Sequence, residues 1–319
     1  MSEVKDTFDS KTTLIEVQEI PKFAPEGLET IEKTDKYAKQ ITSFYMNDRH
    51  YFGTYWRPEI DPKGLVFLCH GYGEYLSPSY EEIALRLVEN GLLVFGHDHI
   101  GHGRSSGQRV HVESMEEYVQ PVLAHVKHVT KEFNDELPKF IIGHSMGGLI
   151  SIYVLSVAQN LFKGVVLVGP LVSMNPELAT PWKQMLAKIF SNIIPSFALG
   201  QIEAEDITRD KKVVQRVKDD PLNWNGGFRT MHSHVLFQAT EALTDGTVLK
   251  RIETPVILFQ GGKDRLVLPY GAQFYHDNVG STDKKLVYFA EAFHNLYVEL
   301  DDVKELTISE TCQWILQRL

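Results

Sequence analysis

The apolar positions of this chain come mostly in short unbroken blocks. Leu65–Cys69, Leu92–Phe95, Phe140–Ile142, Val165–Val168, Val256–Phe259 and Leu286–Phe289 are each three to five residues long and carry no charge. A strand covered on both faces reads this way, because neither side of its pleat meets water. Tyr51–Trp56 is a further strand, its aromatic residues suited to a pleated surface. Between these blocks the spacing turns helical over Tyr80–Asn90, Met115–Phe133 and Met146–Ala158, the first ended by Gly91. Strands alternating with helices predict an α/β fold, a mostly parallel central sheet with helices on both faces.

The alternation breaks between about residues 172 and 240. There Trp182, Met185, Leu186, Ile189, Phe190 and Ile193 follow the spacing of one face of a helix, which Pro195 closes. An insertion placed after one sheet strand and before the sheet resumes is expected to be a helical lid, or cap, within one domain spanning 41–319. Residues 1–40 hold nine acids and six bases with little periodicity and are expected to form a polar extension.

Charge narrows the partners. The chain of 319 residues has 32 basic and 42 acidic side chains, a net charge of −10, which repels nucleic acid and anionic membrane surfaces. Two cysteines, Cys69 and Cys312, are too few for a disulfide scaffold and suit a reducing compartment. The first residues, Met1-Ser2-Glu3-Val4-Lys5-Asp6, lack the apolar core of a signal peptide, and no apolar run approaches the roughly 18 residues of a spanning helix. The expectation is a cytoplasmic protein. Contact with membranes or lipid droplets would be peripheral, made by the apolar stripe of the cap.

The chemistry is concentrated where strands end. Gly143-His144-Ser145-Met146-Gly147 is G-x-S-x-G, set between an apolar strand and a helix. On that sharp turn a serine hydroxyl is presented to solvent as a nucleophile, with glycines permitting close backbone approach. A Gly-rich turn serving only helix–sheet packing is the alternative. A nucleophilic serine needs a base, and the base an orienting carboxylate, in the order Ser, Asp or Glu, His. His294 follows the last strand, and Asp264 follows a Gly-Gly turn after the strand before it. Glu291 and Asp283 are weaker contenders for the acid. His70-Gly71-Tyr72-Gly73-Glu74 leaves another buried strand in the form that supplies oxyanion donors, which assigns the amides of Tyr72 and Met146. His70 is read as a hydrogen-bonding support of that loop. His97-Asp98-His99-Ile100-Gly101-His102 has metal-ligand residue types but not the usual spacing, and is read as a loop buttressing the site, with no metal and no other cofactor.

These segments together resemble the serine α/β-hydrolases, and within them the monoacylglycerol lipase family. The likeness extends to Gly169-Pro170-Leu171-Val172, Asn175-Pro176-Glu177, Asp219-Asp220-Pro221-Leu222 and Gln260-Gly261-Gly262-Lys263-Asp264-Arg265-Leu266, and covers about Phe44 to Leu319. It implies hydrolysis of monoacylglycerols to glycerol and a fatty acid, with Glu74, Leu171, Met185, Leu186, Ile189, Phe190 and Tyr297 at the acylglycerol site. The chain departs from the animal members at Tyr75, Ser79, Val267 and Tyr297, mostly near the expected polar end of the substrate. A lysophospholipase or broader carboxylesterase on the same triad is the alternative. A non-catalytic lipid or hormone receptor on this fold is the alternative of another class.

Overall fold

In the computed structural model the described residues are 24–76, 78–133, 136–173, 198–199 and 202–319. The expected cap helix, with Met185, Leu186, Ile189 and Phe190, lies outside them.

Four strands open the sheet: β1 (Ala24–Pro25), β2 (Glu29–Lys33), β3 (Tyr37–Met46) and β4 (Arg49–Pro58). The apolar blocks then supply β5 (Gly64–Cys69), β6 (Leu92–His97), β7 (Lys139–His144) and β8 (Gly164–Val168). Between them run α1 (Glu81–Glu89), α2 (Glu116–Thr130) and α3 (Met146–Ala158). A short pair, β9 (Ala198–Leu199) and β10 (Phe228–Arg229), forms a separate ladder around α4 (Lys211–Asp219). After it come α5 (Thr230–Glu241), α6 (Thr247–Lys250), β11 (Val256–Gly261), α7 (Pro269–Asn278), β12 (Lys284–Phe289) and α8 (Asp301–Leu316).

The main sheet runs β1-β3-β4-β6-β5-β7-β8-β11-β12, with β2 also paired to β3. Pairing is antiparallel through β3, β4 and β6, and parallel from β6 to β12. The sheet starts earlier than the sequence pattern suggested. β3 begins at Tyr37, and β1 and β2 lie on its edge within the stretch expected to be an extension. The periodicity there is masked because β2 is exposed along its length and half of β3 is only partly covered.

Side-chain alternation along the parallel strands divides the core in two. Phe67, Phe95, Ile141, Leu167 and Leu258 face α2, α3 and α7. Val66, Val94, Ile142, Val166 and Phe259 face α1 and α8 on the other side. Cys69 and Cys312 are free buried thiols in these opposite halves of the core. Register places Cys69 beside Gly143, His144 beside Val168 and Val168 beside Phe259. The carboxyl ends of β5, β7, β8 and β11 therefore lie on one edge, and the loops leaving them meet there.

Candidate active site

Ser145 sits between β7 and α3 with φ 54° and ψ −119°, a conformation L-residues rarely adopt. The turn closes only because its neighbours are glycines. A Cβ on Gly143 would lie 2.4 Å from the Ser151 hydroxyl, and one on Gly147 would lie 2.0 Å from the Cys69 carbonyl oxygen. The Ser145 N–H donates to Val168 O at 3.0 Å, and its carbonyl accepts from Gly148 and Leu171. Ser145 keeps partial exposure while the residues around it are buried. Leu171, expected at the substrate site, is thereby held against the nucleophile turn.

His294 and Asp264 meet on the loops after β12 and β11. The imidazole Nδ1–H donates to Asp264 Oδ2 at 2.7 Å. The carboxylate also accepts from Gln260 Nε2 at 3.1 Å and from the amides of Leu266 and Val267, both at 2.9 Å. His294 packs tightly on the turn after β8, where a Cβ on Gly169 would come within 3.0 Å of its carbonyl oxygen. Its ring lies 4.8 Å from that of His144, the residue before Ser145. Burial lowers the His294 pKa, but the Asp264 charge and hydrogen bond outweigh it and the net shift is upward.

The loop after β5 is held from beneath. His70 Nδ1–H donates to Gly71 O at 2.8 Å, and its Nε2 accepts the His99 amide at 2.8 Å. Asp98 accepts the amides of Leu76 and Arg104 at 3.1 and 2.9 Å, tying the loop after β6 to the loop after β5. Among the described residues no group of three His, Cys, Asp or Glu side chains is arranged to hold a metal ion. Met146 is the first residue of α3, so its amide has no acceptor within the helix. Tyr72 follows Gly71, whose own N–H is taken by Glu74 Oε1 at 2.6 Å.

A model of the Hydrolase_4 family, described as "Serine aminopeptidase, S33", matches residues 60–301. Human monoglyceride lipase is 37% identical over 270 residues, covering 85% of this chain and 88% of that protein. Monoacylglycerol lipase of Mycolicibacterium smegmatis is 30% identical, covering 83% of this chain and 92% of that one. The chain belongs to the monoglyceride lipase family. Its α/β-hydrolase fold is shared with the crystal structure of Paleococcus ferrophilus monoacylglycerol lipase, at a TM-score of 0.75 and 25% identity over 84% of this chain and 99% of that one. Among the described residues no helix is long and apolar enough to cross a membrane.

Two members of the expected substrate set have other work in this family member. Tyr297 is a core residue. It lies in the short turn Leu296–Val298, is 1% exposed, and its hydroxyl pairs with Thr311 of α8 at 3.2 Å. Three residues beyond His294 the chain has already turned toward α8, which sequence spacing does not reveal. Glu74 is occupied as well. Its Oε1 accepts from Gly71 N, from Tyr80 OH and from His144 Nδ1, the last at 2.7 Å. Burial would raise its pKa, but His144 and Tyr80 together pull it down to about 2. Glu74 thus fastens the loop after β5 to the turn that carries Ser145. Among the described residues the Nε2 of His144 has no partner. Val267 substitutes without consequence for this geometry, since it is the Val267 amide that meets Asp264.

Proposed function

We propose that this chain hydrolyses monoacylglycerols to glycerol and a free fatty acid, with Ser145 as nucleophile, His294 as base and Asp264 as its orienting acid. The observation that carries the reading is the 2.7 Å bond from His294 Nδ1 to Asp264, which leaves Nε2 as the basic nitrogen of a ring 4.8 Å from that of His144, the residue before Ser145. His294 takes the Ser145 proton as Oγ attacks the ester carbonyl carbon. The oxyanion accepts hydrogen bonds from the amides of Tyr72 and Met146. Glycerol leaves with the proton held by His294. Water, deprotonated in turn by His294, then releases the fatty acid and restores Ser145.

The substrate class is supported by the monoglyceride lipases at 30–37% identity over most of the chain. The enzyme works in the cytoplasm, docked peripherally on membranes or lipid droplets. At a net charge of −10, docking rests on apolar burial by residues such as Ile189 and Phe190. One experiment tests the whole reading: wild type and Ser145→Ala are given vesicles carrying monoacylglycerol, lysophospholipid or a short ester. Wild type is expected to sediment with the vesicles and to release fatty acid fastest from monoacylglycerol. Ser145→Ala is expected to lose roughly 10⁴-fold or more in kcat with its fold intact. A loss under tenfold would remove Ser145 from the mechanism. Faster release from lysophospholipid would change the substrate class, and binding without turnover would make the chain a receptor.

A further inference from the structure

Residues 206–227 touch both loops that carry the proposed chemistry. At one end it grips the loop of the general base. The Asn295 amide donates to Ile207 O at 2.8 Å, and the Thr208 hydroxyl donates to Val298 O at 2.9 Å. Arg209 Nε donates to Glu299 Oε1 at 3.0 Å, and the same oxygen accepts the amide of Phe293, the residue before His294, at 2.9 Å. Glu299 is 1% exposed, and the partly exposed Arg209 covers its carboxylate from outside. Arg265, next to Asp264, reaches Asp206 at 3.4 Å.

At the other end the same segment grips the oxyanion loop. The Trp224 amide donates to Gly73 O at 2.7 Å, and Tyr75 OH donates to Asp220 Oδ2 at 2.7 Å. Tyr72 OH donates to Gly227 O at 3.3 Å. Trp224 lies directly on Gly73, 3.2 Å by its carbonyl oxygen from where a Cβ would stand. Between the two grips runs α4, nine residues and thus roughly 13 Å of stiff helix. A displacement at one end of such an element is carried to the other more than it is absorbed.

We propose that residues 206–227 act as a strap that positions the general base and the oxyanion donors together, with Thr208, Arg209, Tyr75 and Asp220 as its positioning residues. The proposal rests on the triad reading above and adds to it that the two halves of the site are set by one element. Tyr75 is then one of the residues through which this chain ties its oxyanion loop to the strap.

Tyr75→Phe and Thr208→Val each delete one hydroxyl with little change of shape, one at each end of the strap. On a soluble ester and on monoacylglycerol, each is expected to lower kcat three- to tenfold with KM within twofold. The double variant is expected to lose at least threefold less kcat than the product of the single losses, since release of either end already frees both loops. Changes in Tm should simply add, which separates positioning from general destabilisation. Asp220→Ala should repeat the Tyr75→Phe loss, and Asp220→Asn, which keeps an acceptor for the phenol, should recover at least half of kcat. If Tyr75→Phe does not fold, the Asp220→Ala and Thr208→Val pair makes the same cycle. Losses that multiply, losses in KM alone, or unchanged kcat would overturn the strap. Activity retained in Ser145→Ala would instead overturn the triad reading, so the two failures are distinct.

Discussion

Asp264 accepts four hydrogen bonds, and the one from His294 decides which imidazole nitrogen is left basic. Because the Asp264 charge raises the His294 pKa above 6.5, the proposed base is protonated and idle at mildly acidic pH. The acid limb of kcat/KM is therefore expected to have its midpoint above 6.5 and to follow one proton. Asp264→Asn keeps the shape but removes the charge, so kcat should fall by about 10⁴-fold and any residual activity should titrate at lower pH. A pH–rate profile of both proteins checks this. An unmoved limb in the variant would mean that another carboxylate orients His294.

At the level of elements, α8 supports the sheet without touching the chemistry. Trp314 of α8 is 5% exposed, packs on Phe140 of β7 with ring centroids 6.5 Å apart, and covers Gly164 so closely that a Cβ there would lie 2.5 Å from its ring. Trp314→Ala is expected to cost about 3–5 kcal/mol of stability by leaving a cavity, with kcat of the remaining folded protein within twofold. Denaturant unfolding beside an assay at low temperature separates the two effects. A large loss of kcat in fully folded protein would give α8 a catalytic role. The same contrast explains what could be read in advance. Strands β5 to β8 and β11 announce themselves because burial on both faces demands unbroken apolar blocks, whereas β12, at the sheet edge, carries such a block although it is only partly covered. Ser145, Asp264 and His294 stand out as candidates because they come just after such blocks. Helix α4 was invisible, since Lys211–Asp219 buries only Val213 and makes its attachments through neighbouring backbone and polar groups. The partners of Glu74 and Tyr297 were hidden for a related reason: chain position gives the loop but not the group the side chain meets there.

For the whole molecule, the buried histidines set a limit on pH. His70, His97, His99, His102, His125 and His232 are all nearly inaccessible and form a continuous group running from the oxyanion loop to β4. Their partners are neutral: Tyr55 OH for His125 at 2.6 Å, Cys69 Sγ for His99 at 3.4 Å and Tyr118 OH for His232 at 3.3 Å. Burial lowers every one of these pKa values, to about 4 for His102 and about 3 for His125 and His232. In the unfolded chain the same side chains titrate near 6.5, so below that pH the unfolded state binds protons that the folded state refuses. Stability then falls as pH drops, by about 1.4 kcal/mol per histidine per pH unit, or on the order of 8 kcal/mol per unit for the group. Asp98 opposes this between about 6, its raised pKa, and 3.8, but it is a single carboxyl. His294, with its raised pKa, takes up its proton above 6.5 and so does not change this slope, whereas Glu74 adds to the loss only once the pH falls below about 4.5. Against a typical total of about 5–15 kcal/mol, the histidines dominate. The protein is expected to unfold near pH 5, with Tm falling steeply from pH 6.5 downward and an uptake of several protons on unfolding. A Tm that stayed level from pH 7 to 5 would mean that these histidines are already solvated, or already charged, in the folded protein.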